Sequence, residues 1–288
     1  MLPLPLSLLA WIGCQATSPE AFDWKIDRTR VPAVSIVPVS PDDPFGPRTV
    51  DALVLSPHRV TGITGEVCGL RTDLPVQLYD LTCYGEPTLI ERIGAGVPFR
   101  WTPPTMTYPC EPATGYSGYT EGYGGYGYDT GDSADTGGHY APNWCYSTVP
   151  VRVLATSDDD FGSGAAFAVI APPGTPYGWG PVRDPATADP RLEWVDGEVR
   201  AGGQVRLRFS VTGAFSGDGV LYEDLRWYVD DGELLGTGRT RQTGFTDDGR
   251  PYGDNRLRIP EDYHGALRAA VVLGTSPLVW TVTTLEVP

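Results

Sequence analysis

The sequence predicts an all-β protein: two antiparallel β-sandwich domains in tandem, the first interrupted by a disordered loop rich in Gly, Tyr and Asp. Three observations predict it. Glycine (36) and proline (28) together exceed a fifth of the 288 residues, a density of turn residues that suits many short strands. No amphipathic stretch of helical period runs beyond about three turns. Val, Ile, Phe and Tyr recur instead in short runs bounded by Gly, Pro and Asp, the signature of sandwich strands. The 41% hydrophobic content is enough to bury two cores.

In chain order, "MLPLPLSLLAWIGC" is an apolar run ending at Cys14. It is shorter than the about 20 residues a spanning helix needs, and Pro3 and Pro5 work against a helix. An apolar core of this length before small residues reads as an export signal over 1–13. Gly13-Cys14 resembles the lipobox of bacterial lipoproteins, although Trp11 stands where that family prefers Leu. The resemblance implies that Cys14 is diacylated and becomes the first residue, attaching the chain to a membrane through lipid. Gln15, in place of an inner-membrane retention Asp, points to the outer membrane, on its periplasmic or cell-surface face. Residues 14–23 then form a tether.

The first domain is expected over 24–172. Its strand-like segments are "VPAVSIVPV", "RTVDALVLSP", "ITGEVCGL", "VQLYDLTCY", "VPFRWT", "VPVRVLATS" and "GAAFAVIAP". Four cysteines fall here: Cys68, Cys83, Cys110 and Cys145. An even number in an exported chain suits two disulfides, and three pairings are open. Nearest neighbours make the simplest arrangement, and a Cys110–Cys145 bridge would stabilise by about 4 kcal/mol in the chain-entropy view. None of the spacings approaches the close pairs of a zinc site. Between the last two cysteines lies the inserted loop 111–144, with "TGYSGYTEGYGGYGYDTGDSADTGG". Glycine keeps such a segment mobile. Tyr116, Tyr119, Tyr123, Tyr126 and Tyr128 offer amphipathic contact area, making it a candidate contact loop.

A proline-dense stretch, 173–190, reads as a semi-rigid linker, and the second domain follows over 191–288. In "GQVRLRFSVTG", Val205, Leu207, Phe209 and Val211 face inward and Gln204, Arg206, Arg208 and Ser210 outward. In "LRWYVDDGELLGTG", Leu225, Trp227 and Val229 point inward and Asp231-Gly232 supplies a hairpin turn. "GALRAAVVLG" and "LVWTVTTLEV" form a final hairpin. The Trp227 strand with its "VDDGELLGTG" turn, and "PEDYHGALRAAVVL", resemble immunoglobulin-like and PKD-type domains of bacterial envelope proteins. That likeness implies an immunoglobulin-like sandwich with Tyr263 as a tyrosine-corner residue. "DRTRVPAVSIVPVSPDDPFGPRTVDALVLSP" is similar to the opening of immunoglobulin-like lipoproteins of myxobacterial type, a family with mostly no assigned function.

The chain has 36 acidic residues against 21 basic ones, a net charge of −15, which repels polyanions and argues against nucleic acid as a partner. Asp129-Thr130-Gly131 and Asp135-Thr136-Gly137 spell the aspartic-protease triplet, but six residues apart in a glycine tract they cannot form two rigid lobes. "GYSGY" fails the nucleophile-elbow pattern at Tyr119. His58, His139 and His264 share no motif spacing. The expectation is therefore a chain that is not an enzyme. Calcium is the chemical alternative: Asp158, Asp159 and Asp160, then Asp247, Asp248 and Asp254, place carboxylates on turns as that ion requires. The functional expectation is a surface or periplasmic interaction, adhesion or scaffold module whose partner is an envelope protein or a glycan. A calcium-dependent or carbohydrate-binding adhesin is the alternative, with a hydrolase third.

Overall fold

The structure is a computed structural model. It describes residues 24–68, 90–104, 147–171, 185–212, 224–274 and 278–288. Among these, every regular element is a strand except one 3-10 turn, Pro185–Ala188. The first sandwich holds β1 (Arg30–Pro38), β2 (Arg48–Leu55), β3 (Val60–Cys68), β4 (Ile90–Ala95), β5 (Phe99–Trp101), β6 (Ser147–Ser157) and β7 (Phe161–Ile170). Its sheets have the orders β1-β2-β5 and β4-β3-β6-β7, all antiparallel. The second holds β8 (Arg191–Gly197), β9 (Gln204–Ser210), β10 (Leu225–Val229), β11 (Glu233–Leu234), β12 (Arg239–Thr240), β13 (Gly244–Phe245), β14 (Pro251–Arg258), β15 (Gly265–Leu273) and β16 (Val279–Val287). Its sheets are β12-β10-β15-β16 and β11-β14-β9-β8, with β13 also on β14.

Period-two alternation builds each core. Val149, Val151 and Val153 of β6 are buried with Val67, Val50 and Phe99 in the first. Leu225, Trp227 and Val229 of β10 join Val205, Leu207, Phe209 and Val211 in the second. Ser210, expected on the solvent side, is also buried, in the row of Arg191 and Tyr252. The final hairpin forms as read, with Gly265 to Leu273 in continuous register against Val287 to Val279. Asp231-Gly232 does not join two paired strands, however. β10 lies in one sheet and β11 in the other, so the turn carries the chain across the sandwich, with Gly232 at φ +86°. The Tyr263 hydroxyl does return to backbone, donating to Ala266 O at 2.8 Å. That acceptor is downstream, whereas the immunoglobulin corner reaches upstream.

Besides the two-residue β12 and β13, three strands carry no expectation in the sequence: β4, β8 and β14, the last where the sequence reading puts Asp254 on a turn. β4 carries an awkward "IERIGA", and β8 buries only Leu192. The 3-10 turn falls within the stretch read as linker, and its Ala188 is fully buried in the second core.

The sandwiches stack face to face. Ala33, Leu53 and Leu55, on the side of β1 and β2 turned away from the first core, pack against Tyr228, Ala270 and Val272, on the side of β10 and β15 turned away from the second. Four sheets therefore lie in layers, with β1-β2-β5 and β12-β10-β15-β16 in the middle. The chain reinforces the contact before β1. Lys25 pairs in parallel with Val229, Ile26 N donates to Val229 O at 2.8 Å, and Ile26 is buried in the same cluster.

Candidate functional site

Stacking leaves one face of the second sandwich as an outer layer: the solvent side of β11-β14-β9-β8. Register assigns its rows. Arg208 of β9 lies opposite Asp254 of β14, Arg206 opposite Arg256, Gln204 opposite Arg258, and Ser210 opposite Tyr252. The Arg208 guanidinium forks onto Asp254, at 2.9 and 3.0 Å, while its flat face lies 3.6 Å from the centre of the Tyr252 ring. Hydrogen bonding to Asp254 leads the causes that raise the Arg208 pKa above its ordinary value. Arg258 pairs with Glu233 at 2.9 Å.

The neighbouring row is built differently. Arg206 and Arg256 face each other across the ladder, so two cations occupy the position where the next row puts an ion pair. Arg206 reaches Asp196 at 3.7 Å and the already shared Asp254 at 4.0 Å. Arg256 is exposed and forms no ion pair among the described residues. Like charges directly opposite on antiparallel strands are destabilising.

Of the aspartates read as calcium candidates, Asp159, Asp160, Asp248 and Asp254 are engaged by partners within the protein. Asp158, Asp159 and Asp160 form the β6–β7 turn. Asp160 accepts from Thr29 N at 2.8 Å, from the Thr29 hydroxyl and from the Ser157 hydroxyl at 2.5 Å. These bonds, Ser157 first, hold its pKa down at about 2. Asp159 lies 3.2 Å from His58 Nδ1. Asp247 and Asp248 sit on the β13–β14 turn of the other sandwich. There Asp248 accepts from Thr246 and from Arg250 at 3.1 Å, which lowers its pKa in that order of weight. Two turns on separate sandwiches cannot pool their ligands, and among the described residues no three His, Cys, Asp or Glu side chains are grouped to hold a metal ion. Asp254 is held by Arg208.

The remaining sequence candidates, Cys14, Cys83, Cys110, Cys145, Tyr116, Tyr119, Tyr123, Tyr126 and Tyr128, lie outside the described residues. The backbone of Cys68 ends β3, opposite Ile90. A cleft of about 430 Å³ opens at one end of the second sandwich, lined by Asp231, Glu233 and Glu261 with Arg258, whose charge Glu233 already answers. The arginine rows were not singled out in the sequence. The available signal was "VRLRF" facing "DNRLR", two alternations whose outward residues are mostly cationic. Comparison with protein-family models, with curated proteins and with solved structures finds no match for the chain.

Proposed function

We propose that this chain is an exported, lipid-anchored interaction module without enzymatic activity, and that it binds through the outer face of β11-β14-β9-β8. The observation that carries the reading is the Arg206–Arg256 row. In a chain with 36 acidic residues, a carboxylate could have stood at either position, as it does one row away. Two opposed guanidiniums on an open sheet face suit an anionic group brought by a partner, because the planar fork takes a carboxylate or phosphate through two parallel hydrogen bonds. The apolar run before Cys14 supports the envelope location, and the layered double sandwich supplies a stiff platform behind the face.

The surface is tested by exchanging Arg256 for Thr, alone and with Arg206→Gln. Opposed cations cost about 0.2–1 kcal/mol, so R256T leaves urea-denaturation stability unchanged or slightly raised. Binding to the ligands that the wild type selects on an envelope-glycan array, or to a purified envelope protein, falls at least about tenfold in the double variant. Unchanged binding overturns the assignment of this face. Mass spectrometry of the mature amino terminus tests the anchor: diacylglycerol on Cys14 is expected, and an uncleaved Met1 would defeat it.

A further inference from the structure

The sheet edges of this protein are not treated alike. A strand at the edge of a sheet presents unpaired N–H and C=O groups, and folded proteins blunt such edges with bulges, short strands, charge or cover. In the second sandwich, β8 is bulged between Trp194 and Asp196, and β11, β12 and β13 are two residues each. In the first, β5 has three residues, while β1 and the β3–β4 pairing contain register shifts. β7 is long and regular, but the backbone of Thr29 to Val31 covers it. A Cβ added at Gly162 or Gly164 would sit 2.4 Å from the Thr29 carbonyl oxygen or 2.3 Å from that of Val31.

β16 is the exception. It runs nine residues, "VWTVTTLEV", without bulge, proline or lysine, and its register against β15 is continuous. Among the described residues, nothing pairs with its other edge. The composition is of high strand propensity, and its one charge is Glu286.

We propose that this edge pairs with the same edge of a second copy, in antiparallel fashion about a two-fold axis through Thr283, joining two four-stranded sheets into one of eight. The sequence is complementary to itself in that register. Val279 meets the partner's Val287, Thr281 the partner's Leu285, Val282 the partner's Thr284, and Thr283 its own equivalent. Glu286 falls opposite the partner's Trp280, so no like charges oppose each other, and β-branched and Thr–Thr pairs of this kind favour a ladder. A two-fold contact needs one surface that is its own complement, and this strand provides it. Trp280 packs at the edge of the inter-sandwich cluster, but Val282 on the same side is 46% exposed, so the first sandwich leaves the centre of β16, where the axis passes, uncovered. This inference does not depend on the ligand-binding face, which belongs to the other sheet.

The test is sedimentation equilibrium on the full chain, up to about 0.2 mM, with two opposite charge substitutions at the axis. The wild type should form dimers. Thr283→Lys and Thr283→Glu should each weaken association about tenfold or more, because equal charges then face each other, and an equimolar mixture should recover it. Val282→Lys, at an exposed position, should also weaken association and guards against misfolding of the Thr283 variants. A monomeric wild type overturns the proposal, as does a dimer insensitive to these charges. Loss without recovery on mixing overturns the two-fold register and the self-pairing with it.

Discussion

At the scale of single residues, Asp160 does the work of a clamp. Its carboxylate ties the β6–β7 turn to Thr29. The Thr29 hydroxyl is 2.8 Å from Ser56 Oγ, and Ser56 O accepts from Arg268 Nη2 at 2.7 Å. Arg268 is fixed in turn by Asp230, at 3.0 Å. A polar chain thus runs from a turn of the first sandwich to β15 of the second. With a folded pKa of about 2, below the ordinary 3.8, Asp160 is ionised more readily folded than unfolded. Its contribution is therefore complete above the ordinary carboxylate pKa and is lost as pH falls from about 4 to about 2. Asp160→Asn should lower the melting temperature at pH 7 and flatten the fall in stability across that acid window. Melts at a series of pH values check both, and an acid limb as steep as that of the wild type would remove Asp160 from this role.

At the scale of strands, paired glycines make a slot for one ring. Gly65 of β3 and Gly94 of β4 are register partners, and the Phe99 side chain lies over both. A Cβ at Gly65 would stand 2.1 Å from Phe99 Cζ, and one at Gly94 2.2 Å from Cδ2. Overpacking at such a site costs about 1–3 kcal/mol, so Gly65→Ala should destabilise by that amount in urea denaturation. Combined with Phe99→Leu, which vacates the slot, the two losses should sum to more than the double variant shows; strict additivity would mean that they do not share the site. This strand level is also where the sequence was most legible. Val149, Val151 and Val153, Leu225, Trp227 and Val229, and the β15–β16 hairpin follow from alternation alone. β4 was hidden because its paired glycine leaves no apolar mark, and the Asp231-Gly232 turn was misread because a turn sequence does not say which sheet receives the next strand. The arginine face was equally hard to see. Alternation places Arg206 outward, but the Pro, Gly and Asp of β14 read as a turn, and only register sets Arg256 opposite Arg206.

At the scale of the molecule, the sandwiches are held as one body by an apolar interface. Domain pairs move independently by default unless their contact is large and hydrophobic. Here Ile26, Ala33, Leu53, Leu55, Tyr228, Ala270 and Val272 are all buried between them. The signal was present in "GALRAAVVL". Leu267, Ala269, Val271 and Leu273 serve the second core while Ala270 and Val272 serve the interface, so β15 is apolar on both faces, as a strand between two layers must be. Calorimetry of the wild type should therefore show a single transition. Leu53→Asp places an unpaired carboxylate in the contact from the first sandwich, and Val272→Asp does so from the second. Neither position belongs to an internal core, so each variant should split the melt into two transitions instead of abolishing folding. Because the substitutions lie on different sandwiches, a split common to both identifies the shared interface. Two transitions in the wild type would show that the layers melt separately, and the outer face proposed for binding would then rest on the second sandwich alone.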